Sequence, residues 1–578
     1  MTALPPSFEQ RFAAALQLAD AGRLAEASER FAALLGECPD SPPLRHALVR
    51  ARLLDGAPDA ALAAALHPSL LGATDAFRAV VADFGAAGAI EQRLALLRAR
   101  LQAHPRSPGA ALTLATELHR LFRVGEALHW SEHVLALRPH DPLAQAVRAT
   151  ALVDRGDVEA GLAAHRALLP HGDAETWARH LVLMHYDPAQ TNAALHALLA
   201  EHARRHLPRF GPPFTRRAHD PERVLRVGWL TPRAGDGPVA TFLGGLLAQF
   251  DRSRHAHLLV TLQPTPNSAL AALADASVDA SGLDDVRLLQ RLRELELDVL
   301  VDLAGHATWN RIGVLAQRVA PLQVCWLDWF DTTSVPAIDA WLSDPWLTPA
   351  DSSQRYSEQL VRLPSGRFCY TPPADAPAPT HDGDGAVVFA SFNRLAKLND
   401  GVLDAWAEIL QRVPEATLEL RARHLGEAAT AAHVAARFAA RGIGAERVRL
   451  GGALPYAELL AAYRRVDIAL DPFPFSGCTT TCDALWMGCA TITLPGETFV
   501  SRQSASLLWR LGREEWIARD RAEYVERAVA AATDVAALRA QRGALREAVR
   551  ERLCDAATQA AEFAAALREL WRTRCSGA

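Results

Sequence analysis

No stretch of the 578 residues approaches the run of about 18 uninterrupted apolar positions that a membrane-spanning helix needs. The opening MTALPPSFEQ has neither a basic start nor an apolar run after it, so no secretory signal is expected and the expected location is cytoplasmic. Cysteine is sparse, at eight residues, too few in a chain this long for a disulfide framework. Cys478, Cys482 and Cys489 are the closest group, but they lack a CxxC spacing and a nearby His. No metal site is therefore expected. A basic excess is missing too: 61 Lys and Arg stand against 66 Asp and Glu, a net charge of -5, and nothing points to a nucleic-acid partner. What remains is half hydrophobic and 22% charged, the composition of a globular protein whose length calls for several domains.

β-Branched runs are nearly absent from the first 170 or so residues, which are rich in Ala, Leu and Arg at helical spacing. Two stretches repeat. One reads Gly22, Glu26-Ala27, Phe31, Leu35, Pro39, and the other Glu126-Ala127, Trp130, Val134, Pro139; in both, the Ala lies twelve residues before the Pro. A weaker third reads Gly156, Glu159-Ala160, Leu168-Leu169-Pro170, with Ala160 lying 33 residues after Ala127, close to the roughly 34-residue period of a tetratricopeptide repeat. A small Ala lets two helices approach, an aromatic fills the next groove, and Pro ends the second helix. Residues 43–105 keep the helical pattern but match the repeat poorly, and a generic helical bundle is the alternative. Either form offers a stacked surface for a protein partner.

The texture changes at residues 205–223, which are rich in Pro and Arg and read as a linker. Strands then alternate with helices. Val224–Leu230, Ala256–Leu262, Asp298–Leu303 and Leu322–Leu327 read as strands of a first lobe, 224–370. After a Pro-, Asp- and Gly-rich linker, 371–385, the rhythm restarts with strands at Ala386–Phe392, Thr417–Arg421, Val466–Leu470 and Ala490–Leu494 and helices at Val402–Arg412 and Thr481–Met487. The expected fold is thus α plus α/β: a helical tetratricopeptide-like domain over 1–204, then two Rossmann-like lobes of GT-B type, the second over 386–520 and binding nucleotide. Helices over 521–578 pack back on the lobes. The ligand cleft belongs at the carboxyl ends of the strands.

Three segments carry chemistry. In Asp467-Ile-Ala-Leu-Asp-Pro-Phe-Pro-Phe-Ser-Gly-Cys-Thr-Thr-Thr-Cys-Asp a strand ends, a Gly-containing loop follows, and three threonines open a helix. Hydroxyls and free N–H groups at a helix start make an anion site. Thr479, Thr480 and Thr481 are placed to bind a diphosphate, and Asp483 to accept from ribose hydroxyls; helix capping by one Thr is the plainer alternative. In Phe389-Ala-Ser-Phe-Asn-Arg-Leu-Ala-Lys, the residues Asn393, Arg394 and Lys397 cluster after a strand, where a lysine can neutralise a leaving diphosphate. In Asp302-Leu-Ala-Gly-His, Gly305 permits close backbone approach. His306 is either a base or donor toward substrate, or a structural histidine.

At these segments the chain resembles the protein O-GlcNAc transferase and SPINDLY group, glycosyltransferase family 41. The resemblance covers LVDLAGH, APLQVCWL, TTSVPAIDAWLSD, YSEQLVRLP, FASFNRLAKL and DPFPFSGCTTTCDALWMGCATITLPGETFVSR, in that order. It implies an inverting enzyme without an obligatory metal or other cofactor that moves a sugar from a nucleotide donor to Ser or Thr hydroxyls of proteins recruited by the repeats. Lys397 would neutralise the diphosphate, with Thr479, Thr480 and Asp483 on phosphate and ribose and Asn393 and Arg394 lining the nucleotide pocket. There are departures. The histidine that follows the first strand in relatives is replaced by the stretch Asp236-Gly237-Pro238. The Gly-Tyr-Pro turn against the donor sugar becomes Asp328-Trp329-Phe330, after Leu327. Cys478 stands where O-GlcNAc transferases carry His and SPINDLY-type members Thr, and the uracil-contacting side chains have no evident counterpart around Leu454–Leu459.

The donor pocket is accordingly assigned to Gly305, Leu327, Asp328 and Phe330, and the nucleotide site to Asn393, Arg394, Lys397, Cys478, Thr479, Thr480, Thr481 and Asp483. The catalytic group is assigned to Lys397, with His306 or Asp236 as base; transfer through water is an alternative. A donor other than UDP-GlcNAc is expected. Asp328 should favour hydroxyl or amino groups on the sugar, although a flagellin-modifying branch using CMP-activated sugars stays open. A catalytically inactive protein-binding scaffold, and a transferase acting on lipid or glycan, are the competing readings.

Overall fold

The computed structural model describes residues 7–208, 211, 213–235, 237–265, 268–383 and 385–577. The chain divides into two compact units between Ala151 and Leu152.

The first unit is helical throughout. Helices Phe8–Asp20 and Leu24–Glu37 pair, as do Pro108–Arg120 and Val124–Leu137. Ala27, Phe31 and Ala127 are fully buried between their helices, as the repeat spacing predicts. The intervening stretch explains its own poor match. Helices Pro42–Leu54, Thr74–Ala86 and Ile90–Ala103 are regular, but two short pieces, Pro58–Ala65 and Pro68–Gly72, fall between the first two. Pro68 starts the second piece, and a proline cannot continue the helix before it.

The helices at 158–206 belong to the second unit, so the division falls well before the expected boundary at 204. Their contacts account for this. Asn192 Nδ2 donates to Ser353 Oγ (2.8 Å) and to the Glu497 carbonyl (3.2 Å), and Tyr186 stacks on Phe475 with ring centroids 4.7 Å apart. The third repeat stretch is also one residue out of register. Ala160 is exposed, and Gly161 and Leu162 face the core, because Asp157 precedes a helix that begins at Val158.

Two parallel sheets follow. The first holds β1 (Leu225–Thr231), β2 (His255–Thr261), β3 (Ala276–Asp279), β4 (Val299–Asp302), β5 (Leu322–Cys325), β6 (Ala340–Ser343) and β7 (Gln359–Arg362), in the order β3-β2-β1-β4-β5-β6-β7. The second holds β8 (Val388–Ser391), β9 (Thr417–Arg421), β10 (Val448–Gly451), β11 (Ile468–Leu470) and β12 (Ala490–Ile492), in the order β10-β9-β8-β11-β12. All pairs are parallel, with Val227 opposite Val299 and Ile468 opposite Phe389. The inner strands are short apolar runs buried on both faces, as parallel strands covered by helices must be, while the edge strands β3 and β7 are largely exposed. Strand order reverses between β1 and β4 in one sheet and between β8 and β11 in the other, and ligands bind outside the carboxyl ends of strands at such points.

The C-terminal helices tie the lobes together. Helix Arg542–Leu553 lies on the second lobe, where the buried Arg542 guanidinium donates to the carbonyls of Tyr463, Val466 and Met487 at 2.6–2.8 Å. Helix Ala556–Ser576 returns to the first lobe. Phe563 packs 5.5 Å from Trp229 and 4.9 Å from Trp326, and Trp571 Nε1 donates to the Asp220 carbonyl. Among the described residues, no helix is long and apolar enough to cross a membrane.

Candidate active site

The loops after β8 and β11 meet at Lys397. The segment after β8 turns through Asn393 and Arg394 into a short 3-10 turn, Leu395–Lys397. The segment after β11 runs from Asp471 to Cys478 and enters helix Thr479–Trp486, two residues earlier than the sequence pattern places it. Lys397 Nζ donates to Asn393 Oδ1 (3.0 Å) and to the Ser476 carbonyl (2.8 Å), and lies 4.8 Å from the centre of the Phe475 ring. Burial lowers its pKa to about 8, with Asp471 opposing and Arg394 reinforcing the shift.

Asn393 is the hub of this cluster. Its Oδ1 also accepts from Thr480 Oγ1 (3.1 Å), while its Nδ2 donates to Ser391 Oγ. Its amide is thus committed to protein partners, and its part is to position Lys397 and Thr480. Thr481 points inward, its hydroxyl 2.7 Å from Ser504 Oγ. Its hydroxyl is thus paired within the protein rather than presented at the helix start where the sequence pattern places it. Thr479 and Thr480 remain at the helix start, together with first-turn N–H groups that have no intrahelical acceptor. Cys478 precedes the helix and its thiol makes no cap; burial pushes the thiol well above its ordinary range.

The loop itself is drawn tight. A Cβ on Gly477 would fall 2.3 Å from Thr481 Oγ1 and 2.9 Å from Asp471 Oδ1, and Asp471 holds the turn by accepting from Gly477 N and Thr493 Oγ1, both at 2.6 Å. Asp483 is also buried. The hydroxyls of Tyr370 (2.9 Å) and Tyr456 (2.7 Å) donate to its Oδ1, and burial raises its carboxyl to about 6 against those two bonds. Neither tyrosine was singled out by motif; each is distant in sequence and carries no spacing signal.

Facing this anchor is the turn after β5. Leu327 has φ +84, a conformation costly for a residue with a Cβ. Arg367, which the sequence reading passed over, holds it there. Its buried guanidinium donates to the carbonyls of Leu327 (3.1 Å), Trp329 (3.0 Å) and Leu342, and sits over the Trp341 ring at 4.2 Å. Phe330 meets Phe475 of the second lobe at 5.2 Å. Asp328 is open to solvent. Gly305 adopts φ +52 directly against Trp329. Its own turn is held by Asp302, which accepts from Gly305 N (2.8 Å) and Ala304 N (3.2 Å) and whose carboxyl burial raises to about 7. A Cβ at Gly305 would lie 2.4 Å from Trp329 Cβ and Cγ. Gly305→Ala is therefore expected to destabilise the protein by about 2–4 kcal/mol through overpacking and backbone strain, read as a lower midpoint of urea unfolding.

His306 is enclosed. Its Nε2 lies 2.8 Å from the Thr333 carbonyl, to which it donates, and its Nδ1 has no partner among the described residues. Burial lowers its pKa to about 4, so the ring is neutral and faces Trp329 and His202 rather than a ligand. Asp236, the other base considered, lies outside the described residues. Among the described residues no cluster of three or more His, Cys, Asp or Glu is arranged to hold a metal ion.

The family model for glycosyl transferase family 41 matches residues 181–370 and 380–561. The probable UDP-N-acetylglucosamine–peptide N-acetylglucosaminyltransferase SPINDLY of Solanum lycopersicum is 34% identical over 373 residues, 62% of this chain and 40% of that protein. The similarly described SEC of Arabidopsis thaliana is 26% identical over 397 residues, 64% of this chain and 40% of its own. The chain thus spans well under half the length of these plant relatives. Among solved structures, an O-GlcNAc transferase mutant from Thermobaculum terrenum superposes with a TM-score of 0.80 at 31% identity, covering 90% of this chain and 99% of that one. With the family's model matched across both lobes and the same two-lobed architecture behind it, the chain belongs to glycosyltransferase family 41.

Proposed function

We propose that the protein is an inverting glycosyltransferase that moves a sugar from a nucleotide-sugar donor to Ser or Thr hydroxyls of an acceptor protein, which the helical repeats recruit. One observation carries this reading: a half-buried lysine, fixed by Asn393 and Ser476, stands beside a helix start at the point where strand order reverses in the second sheet. A departing phosphate meets there a point charge, two threonine positions and free N–H groups. The charge that a divalent cation would otherwise neutralise falls to Lys397. The similarity to proteins described as acting on peptides supports a polypeptide acceptor. The donor is read as other than UDP-GlcNAc, because Asp328 and Phe330 put a carboxylate and a ring where the sugar is expected.

Thermal unfolding of the full chain with UDP, GDP or CMP and their sugar conjugates tests the reading. A ligand at about a hundred times its Kd should stabilise by roughly 2.7 kcal/mol. One nucleotide class is expected to shift the midpoint, and Lys397→Ala to abolish the shift. If none of the nucleotides shifts the wild-type protein, the scaffold reading takes its place.

A further inference from the structure

An inverting transfer needs a group to take the proton of the attacking hydroxyl, and the geometry points to Asp328 as that general base. The inference rests on the nucleotide site proposed above. It begins from elimination among the acids near the carboxyl ends of the strands. Asp302, Asp331, Asp344, Glu358, Asp471 and Asp483 are each buried and accept hydrogen bonds from protein. His306 is buried with Nε2 engaged. Asp328 alone of these is open to solvent, and its carboxylate accepts no hydrogen bond from any described residue. A base that must receive a proton from a ligand needs this combination.

Its placement fits the role. Asp328 follows the left-handed Leu327, and Arg367 holds the carbonyls on either side of it, at Leu327 and Trp329, so the backbone beneath the carboxylate is fixed. The carboxylate faces the nucleotide lobe. Arg394 acts on it from the loop after β8, Arg367 acts from behind the turn, and Asp328 in turn acts on the thiol of Cys478 and on the Tyr186 hydroxyl. Arg394 also acts on the Tyr186 hydroxyl, and Asp154 acts on both. Lys397 also acts on Cys478, so the base and the cation that receives the leaving group lie within electrostatic reach of one residue. Phe475 links the two sides, packed on Phe330 and beneath Lys397.

The carboxyl of Asp328 is raised to about 6, first because the surrounding protein withdraws water from it even where solvent reaches the residue, with Arg394 and then Arg367 pulling it back down. It is ionised at neutral pH and a better proton acceptor than a free aspartate. In the step, the acceptor oxygen attacks the anomeric carbon as its proton passes to Asp328. The bond from that carbon to the phosphate oxygen breaks, and both electrons leave with the nucleotide, whose charge Lys397 meets. Asp328 then returns the proton to solvent.

The test uses the full chain, a library of Ser/Thr peptides as acceptor, and whichever UDP, GDP or CMP sugar gives the fastest nucleotide release. Asp328→Asn should keep the nucleotide-dependent thermal shift while release falls about 100-fold or more, and the acidic limb of kcat/KM near pH 6 should vanish. Formate should restore part of the rate in Asp328→Gly, which a purely structural role would not allow. An Asn variant that keeps its shift and stays within about threefold of wild type, or that retains the acidic limb, overturns the assignment of Asp328 alone. A wild-type chain with no shift for any nucleotide overturns the site, and the base with it.

Discussion

Lys397→Met is expected to lower turnover by about three orders of magnitude while leaving the unfolding midpoint of the ligand-free protein nearly unchanged. Removing a single fixed stabiliser of developing charge costs on the order of 10²–10³ in kcat, and here the group is a full cation. The ligand-free protein gains little from that cation. Its pKa of about 8 against an ordinary 10.5 means the ammonium is disfavoured by burial. The sign follows from proton counting. Between about pH 8 and 10.5 the unfolded chain holds the proton and the folded chain does not, so this group makes stability rise with pH across that window. Below 8 the burial cost of the charge is fully present. Methionine keeps the apolar stem and removes that cost, offsetting the hydrogen bonds lost at Asn393 and Ser476.

The same shift predicts a basic limb: activity should fall as pH rises through about 8, since the neutral amine cannot meet a phosphate charge. Bound nucleotide moves that limb upward by favouring the ammonium. The checks are the pH profile of kcat/KM and the unfolding midpoint of the variant. A variant within tenfold of wild-type turnover would remove Lys397 from the chemistry.

Arg367→Met should act in the opposite way, on stability first. The guanidinium supplies the donors for three buried carbonyls, and each buried acceptor left without a partner costs about 1–3 kcal/mol. Contact with the Trp341 ring adds about 0.5–2 kcal/mol. Against this, the hydrogen-bond partners of the Arg367 guanidinium among the described residues are all carbonyl oxygens, and burial lowers its pKa to about 10, so removing the charge recovers part of the loss. The net expectation is a destabilisation of about 3 kcal/mol, measured by urea unfolding. Arg367→Lys should not rescue it, because an ammonium cannot span three carbonyls on two separate backbone segments as the planar fork does. A loss below about 0.5 kcal/mol would mean that the strained turn at Leu327 holds itself.

The two residues were unequally visible beforehand. Lys397 announced itself because the segment around it reads as a strand end followed by polar residues, and a cation there has few other uses. Arg367 sits in a loop after β7, one arginine among many, and its partners at 327, 329 and 342 are brought to it only by the sheet. The strands were found where apolar runs were long. β3, β7 and β10 mix polar with apolar residues and are partly exposed, so none of them offered an apolar run to read. The Ala160 register was missed because Gly161 beside it is equally small and satisfies nearly the same spacing.

By itself the sequence determined the order of the parts: helical pairs first, then two βαβ stretches across a proline-rich linker, then helices that return. Periodicity and turn residues act locally, so local reading recovers them. It also determined which loops carry polar residues at strand ends. The tertiary structure decided how those residues face. Thr481 turns inward to Ser504 while Thr480 stays at the helix start, His306 is shut behind Trp329 while Asp328 is left open, and Asp483 is claimed by tyrosines from positions 370 and 456. Burial and hydrogen-bond partners depend on which segments the sheets bring together. The availability of a carboxylate or an imidazole for chemistry is therefore a property of the fold that spacing along the chain does not encode.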